Sequence, residues 1–147
     1  MHVNVKMLFF YQWGVANLEG FSMYPFTRDM GEVVTKADWI RLREGPFARI
    51  FPLLVIPFAQ SVVATIVLVS LKPTFIRRWL LLVILGLQAV IVASTILVQV
   101  PIQLQLNSGF DRAAAIRLIS TDFWLRKLPL QVEGAFVLYA LWRVVVR

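Results

Sequence analysis

Two apolar runs dominate the pattern of the chain. Residues 50–71, IFPLLVIPFAQSVVATIVLVSL, and residues 79–100, WLLLVILGLQAVIVASTILVQV, each pass through 22 positions without a charge. A helix needs about 20 predominantly apolar residues to cross a bilayer, so both runs predict spanning helices. Pro52 falls in the first turn of the earlier run, and Pro57 predicts a bend within it. A third run, 128–146, LPLQVEGAFVLYALWRVVV, is long enough but holds Glu133 and Arg143. Arg143 lies near the end and can reach the interface, whereas Glu133 cannot easily do so. A fourth run, 7–26, MLFFYQWGVANLEGFSMYPF, is interrupted by Gln12, Asn17 and Glu19. Its apolar stretch is short and broken, so it reads as an uncleaved first helix rather than a signal peptide.

The pattern therefore predicts an all-α integral membrane protein, a four-helix antiparallel bundle with short interfacial helices. It forms one transmembrane domain over 1–147, with spans near 7–26, 50–71, 79–103 and 128–146. KPTFIRR, residues 72–78, is a tight basic turn. The two longer connections each hold an amphipathic stretch. In 27–49 it is VVTKADWIRLRE. In 107–127 Asp111 is a plausible N-cap, and Ile116, Ile119 and Phe123 share a face. Both stretches are expected to lie along the interface, with Trp39 and Trp124 at headgroup depth.

The polar residues inside the runs are the candidates for chemistry. At 100° per residue, Gln88, Thr95, Gln99 and Gln103 fall within one face of the third helix. Gln105 points elsewhere and reads as the wet end of that helix. Gln12 and Glu19 are seven apart, and so share a face of the first helix. Ser61 and Thr65 are four apart on the second, with Gln60 adjacent, and the last helix carries Glu133. An unpaired polar atom in hydrocarbon costs several kcal/mol, so these faces are expected to turn inward. There they either bond one another across helices or line a pocket. The candidate pocket residues are Glu19, Gln60, Gln88, Gln99, Gln103, Trp124 and Glu133. Carboxyls within spans are rare and are functional candidates by default. Either Glu19 or Glu133 could donate a hydrogen bond or act as a general acid or base. An interfacial ion pair of Glu133 with Arg126, two turns earlier, is the structural alternative. Ala16 and Gly20 stand at a spacing that suits close helix association.

Composition supports the membrane class. The chain is 59% hydrophobic, with a mean hydropathy of +0.75, above the roughly 45–50% apolar content of soluble domains. It has no cysteine, which excludes disulfides, thiolate nucleophiles and cysteine-based metal sites, and its one histidine is His2. No metal site and no cofactor are expected. The net charge of +7 would suggest nucleic acid in a soluble protein. Its basic residues cluster at the ends of apolar runs, where they anchor helices to anionic headgroups, so no nucleic-acid partner is expected. With four spans, the termini and the 72–78 turn share a side. That side carries Lys6, Lys72, Arg77, Arg78, Arg143 and Arg147 and no acid, while the other has nine basic residues among six acids in longer loops. Density in short segments sets orientation most strongly, which places both termini in the cytoplasm, in a bacterial inner (plasma) membrane.

The stretch QVPIQLQLNSGFDRAAAIRLISTDFWLRK, with Pro101, Leu106, Gly109, Asp111, Leu118, Trp124 and Arg126, resembles a widespread family of small four-helix membrane proteins of mostly unknown function. The fungal anthrone-oxygenase-like proteins belong to that group. Tyr24-Pro25 and Arg49 with Pro52 and Pro57 extend the resemblance to the first half. The resemblance implies the four-helix fold. The family's histidine position holds Gln103, its asparagine position holds Phe123, and a second arginine position holds Glu133, so a reaction needing a histidine base is not implied.

Two functions follow as expectations. The first is a non-catalytic subunit or scaffold of a larger membrane assembly, with protein partners or further copies of itself beside the lipid bilayer. The second is a binder of an apolar aromatic small molecule, or a cofactor-independent oxygenase-like enzyme, with an intramembrane polar pocket. A transporter or channel is disfavoured by the lack of an inverted repeat or a ring of like charge.

Overall fold

A computed structural model of the chain describes residues 5–20, 24–71, 74 and 76–145, and their side chains apart from those at 5, 9, 16–20, 24–27, 46–51, 53–54, 144 and 145. Every element among the described residues is helical. They are α1 (Val5–Gly20), α2 (Tyr24–Val33), α3 (Lys36–Leu42), α4 (Ala48–Leu71), α5 (Arg78–Ser94), α6 (Val100–Asn107), α7 (Arg112–Asp122) and α8 (Leu128–Val145). Three π-helical turns, Arg43–Phe47, Thr95–Gln99 and Phe123–Lys127, join α3 to α4, α5 to α6 and α7 to α8 without a break. The longer connections of the sequence reading are thus mostly helix. Such turns insert one residue into the helical repeat and are frequent at functional sites.

The four long helices form a ring. α1 packs on α4 and α8, and α5 packs on the same two. Leu68, Ile76, Leu80, Leu81, Ile84, Val137 and Ala140 form one apolar core at the end where α1 starts, joined by Leu8. This sets neighbours antiparallel and brings the described ends of α1 and α8 to the same end of the bundle. The 30-residue helix Arg78–Asn107 is long and apolar enough to cross a membrane, and Val55–Leu71 is a shorter apolar helix.

A second core lies beyond the far end. Trp39, Ile102, Leu106, Ala114, Ala115 and Leu118 pack together with Phe110 beside them, and α2 lies on α7. This cap has clear local causes. Thr35 caps α3 by accepting from the Asp38 N–H, and Asp111 caps α7 by accepting from Ala113 and Ala114. The last carbonyls of α6, which have no helical partner, are met by α3 and the π-turn after it. The Trp39 indole N–H donates to Leu106 O at 2.7 Å, and Arg43 donates to Gln103 O at 3.1 Å and to Asn107 Oδ1 at 2.9 Å. Gly31 is required where it stands, because a Cβ there would meet the Phe110 ring at 2.2 Å. That ring is held edge-on against Trp39.

Two expectations change. Trp39 does not lie at the surface; it is fully buried and forms the pivot of the cap. On α7 the inward face is Ala114, Ala115, Leu118 and Asp122, while Ile116 and Phe123 point outward. The large side chains mark the exposed face of that helix, and the small ones mark the face where helices approach.

Candidate functional site

Between the two cores, each of the four long helices contributes a buried polar side chain. Gln12 of α1, Ser61 and Thr65 of α4, Gln88 of α5 and Glu133 of α8 are all at most 1% exposed. They bond one another directly. The Gln12 amide donates to the Thr65 hydroxyl and to Ser61 O at 3.3 Å. Thr65 donates to Ser61 O, one turn back, at 3.0 Å. The Gln88 amide donates to Ser61 Oγ at 3.3 Å and to Glu133 Oε1 at 2.7 Å. The series runs from α1 through α4 and α5 to α8, a path that crosses the whole bundle.

Both amide hydrogens of Gln12 and both of Gln88 are engaged. Gln12 Oε1, Gln88 Oε1 and Glu133 Oε2 are buried and accept no hydrogen bond. The layer is therefore rich in acceptors, and a guest that suits it brings hydrogen-bond donors.

A second polar group stands where the bundle meets the cap. Asp122 and Arg126 form an ion pair at 2.8 Å with little exposure on either side chain. Ser94 Oγ donates to Leu125 O at 3.1 Å, which ties the end of α5 to the π-turn before α8. Gln99, at the end of the π-turn that joins α5 to α6, is fully buried, and neither atom of its amide is bonded.

The predicted site residues therefore divide. Gln88 and Glu133 meet in the central layer. Gln99 is buried elsewhere, eleven residues further along the same continuous helix. Gln103 is half-buried, and its carbonyl serves Arg43. Gln60 turns outward and accepts from the Tyr11 hydroxyl at 2.5 Å. One residue is 100° of helix, which separates Gln60 from the buried Ser61. Trp124 is 61% exposed and lines no pocket with the others. The side chains of Glu19 and Ala16, and the surroundings of Gly20, lie outside what the structure describes. Arg126 pairs with Asp122, one turn away, and not with Glu133. The Asp122–Arg126 pair was missed in the sequence, although its i, i+4 spacing was a usable signal.

Comparison with protein-family models, characterised proteins and solved structures gives no match.

Proposed function

We propose that the chain is an integral membrane protein with four spans, and that it serves as a non-catalytic helical subunit of a larger membrane assembly. The membrane part is supported by an inverted distribution of side chains. The four-helix half buries Gln12, Ser61, Thr65, Gln88 and Glu133, and exposes Leu82, Val83, Val90, Ile96, Leu97, Leu138 and Trp142. Soluble folds rarely present so continuous an apolar exterior. Trp124 and Trp142, both more than 60% exposed, are eighteen residues apart on one continuous helix, or about 27 Å along its axis. That spacing suits aromatic belts at the two faces of a hydrocarbon layer of about 30 Å. The resemblance to the small four-helix membrane family belongs to the same proposal.

One observation carries the non-catalytic part. The central polar side chains bond one another from helix to helix, in the way that interhelical contacts hold membrane bundles together. The layer also contains one carboxyl with no imidazole or thiol beside it, and so lacks the paired groups typical of general acid–base work. A second reading, in which the interior holds a small molecule, is favoured by Gln99, whose amide is fully buried and unbonded. Native mass spectrometry after mild detergent extraction separates the two. A stoichiometric protein partner or further copies of the chain support the subunit. A chain that is alone and retains a small molecule overturns it. Ser70→Cys and Thr74→Cys should be labelled from the cytoplasmic side only; labelling from outside reverses the orientation.

A further inference from the structure

At the end of the bundle where α1 starts and α8 finishes, a cavity of about 180 Å³ opens between α5 and α8. Its floor is apolar, formed by Ile76, Leu80 and Ala140, all buried. Trp79 and Tyr139 stand at its sides, each about half exposed, and Arg77 and Arg143 complete its lining. Trp79 is fixed by an edge-on contact with Phe136 of α8, with ring centroids 6.4 Å apart. Among the described residues, neither Arg77 nor Arg143 has a carboxylate partner. The acid nearest to Arg143 in the sequence is Glu133, which is buried in the central layer.

We propose that this cavity binds the headgroup of an anionic phospholipid. The inference rests on the membrane reading above and adds a ligand to it. Two guanidiniums without a carboxylate, lining one cavity with an apolar floor, present planar donors suited to phosphate oxygens. Their charge selects an acidic headgroup over a zwitterionic one. The volume is below the roughly 300 Å³ of a pocket that encloses a drug-sized ligand. It suits a headgroup fragment whose remainder continues elsewhere. The remainder has a path: one turn deeper, Leu82 and Val83 of α5 and Ala135 of α8 are exposed, and an acyl chain can lie against them. Trp79 and Tyr139 are the residue types that sit where headgroup meets hydrocarbon.

The test uses the full chain in mild detergent, titrated with phosphatidylglycerol or phosphatidylcholine and read by native mass spectrometry. Tight one-to-one binding of phosphatidylglycerol over phosphatidylcholine is expected. The double variant Arg77→Ala/Arg143→Ala should weaken it about thirtyfold, from two charges near the surface. The double variant Arg41→Ala/Arg117→Ala removes the same charge from the cap and should change it less than about twofold. Both arginines of the cavity are exposed, and unchanged helicity by circular dichroism confirms that the variants are folded. Equal weakening by both pairs means that net charge alone attracts the lipid and overturns the site. Displacement of the lipid by millimolar inorganic phosphate also overturns it, since the cavity would then read phosphate without the lipid. The membrane reading fails separately, if alkaline carbonate strips the chain from membranes without detergent. A chain that resists carbonate but shows no lipid preference removes only the lipid site.

Discussion

Around the four-helix half, the side chains that point outward are Leu82, Val83, Val90, Leu138 and Trp142, and those that meet in the middle are Gln12, Ser61, Thr65, Gln88 and Glu133. Around the cap the arrangement is reversed. Asp29, Glu32, Lys36, Arg41, Arg112 and Arg117 face outward, and Trp39, Ile102, Leu106 and Leu118 form the centre. The change is gradual, since Leu104 and Ile116 remain exposed near the cap. One chain thus follows two burial rules, and under the proposed membrane function each rule corresponds to a surrounding medium. Water drives apolar surface inward. Lipid gives apolar side chains no reason to leave the surface, so helices there are joined by packing and by polar contacts. The ion pair of Asp122 with Arg126, the Ser94 contact and two of the π-turns lie where one rule gives way to the other.

The largest effects should separate the two cores. Trp39→Ala removes a fully buried indole and its bond to Leu106 O, and should cost about 3–5 kcal/mol. Leu118→Ala, in the same core, should cost about 2–5 kcal/mol. Leu81→Ala is matched to it, since both leucines are 1% exposed. On the membrane reading it should cost clearly less, because a leucine released there meets lipid as apolar as the core. Thermal unfolding in detergent, with cap loss followed by proteolysis within 24–47, provides the comparison. Equal costs for Leu81 and Leu118 would mean that both cores form against water.

Asp122→Ala tests the boundary. It leaves the Arg126 guanidinium, only 11% exposed on its side chain, without its carboxylate, and breaking a buried pair in this way costs about 3–5 kcal/mol. Asp122→Ala/Arg126→Met removes both charges and should recover most of the loss. Failure of the second substitution to recover stability would show that Asp122 acts through other contacts.

Much of this division was legible in the sequence, and the reasons for the remainder are physical. The 100° repeat picked out Gln88, Gln99 and the Ser61/Thr65 pair as inward, because a helix fixes which of its own residues share a face. It could not say which helix lies opposite, so Gln88 to Glu133 and Gln12 to Thr65 emerge only once the ring of helices is known. The π-turns have no pattern in hydropathy, since each adds one residue without changing what is apolar. The residue type of Trp39 suits an interfacial belt and a core equally. The bond from its indole to the end of α6 decides for the core.

Within the central layer the expected effects are smaller. Glu133→Leu removes the acceptor of a Gln88 hydrogen and should cost about 1–3 kcal/mol. Glu133→Gln keeps an acceptor oxygen at nearly the same place, and should unfold close to the parent temperature. Comparable losses from both would show that the layer needs the carboxyl itself rather than an acceptor, and would favour a chemical role over a structural one.

The smallest change is expected at Gln99, and its sign is what matters. Gln88 and Gln99 are the same residue type, equally buried, on one continuous helix. Gln88→Leu withdraws a donor from both Ser61 and Glu133, and should destabilise by about 1–3 kcal/mol. Gln99 bonds neither of its amide atoms to the protein. Gln99→Leu therefore strands no partner, and replaces a buried, unbonded amide with an apolar group of similar size. Such a replacement is close to neutral or stabilising. The outcome changes if the amide holds a small molecule, since Leu would then lose the stabilisation that a bound ligand gives the folded state. Unfolding temperatures of the two variants, each measured after native extraction and again after extensive delipidation, distinguish these cases. A Gln99→Leu protein at least as stable as the parent in both preparations supports the subunit reading. A loss that appears only in the native extract, together with loss of a bound mass, places a ligand at the junction of the bundle and the cap.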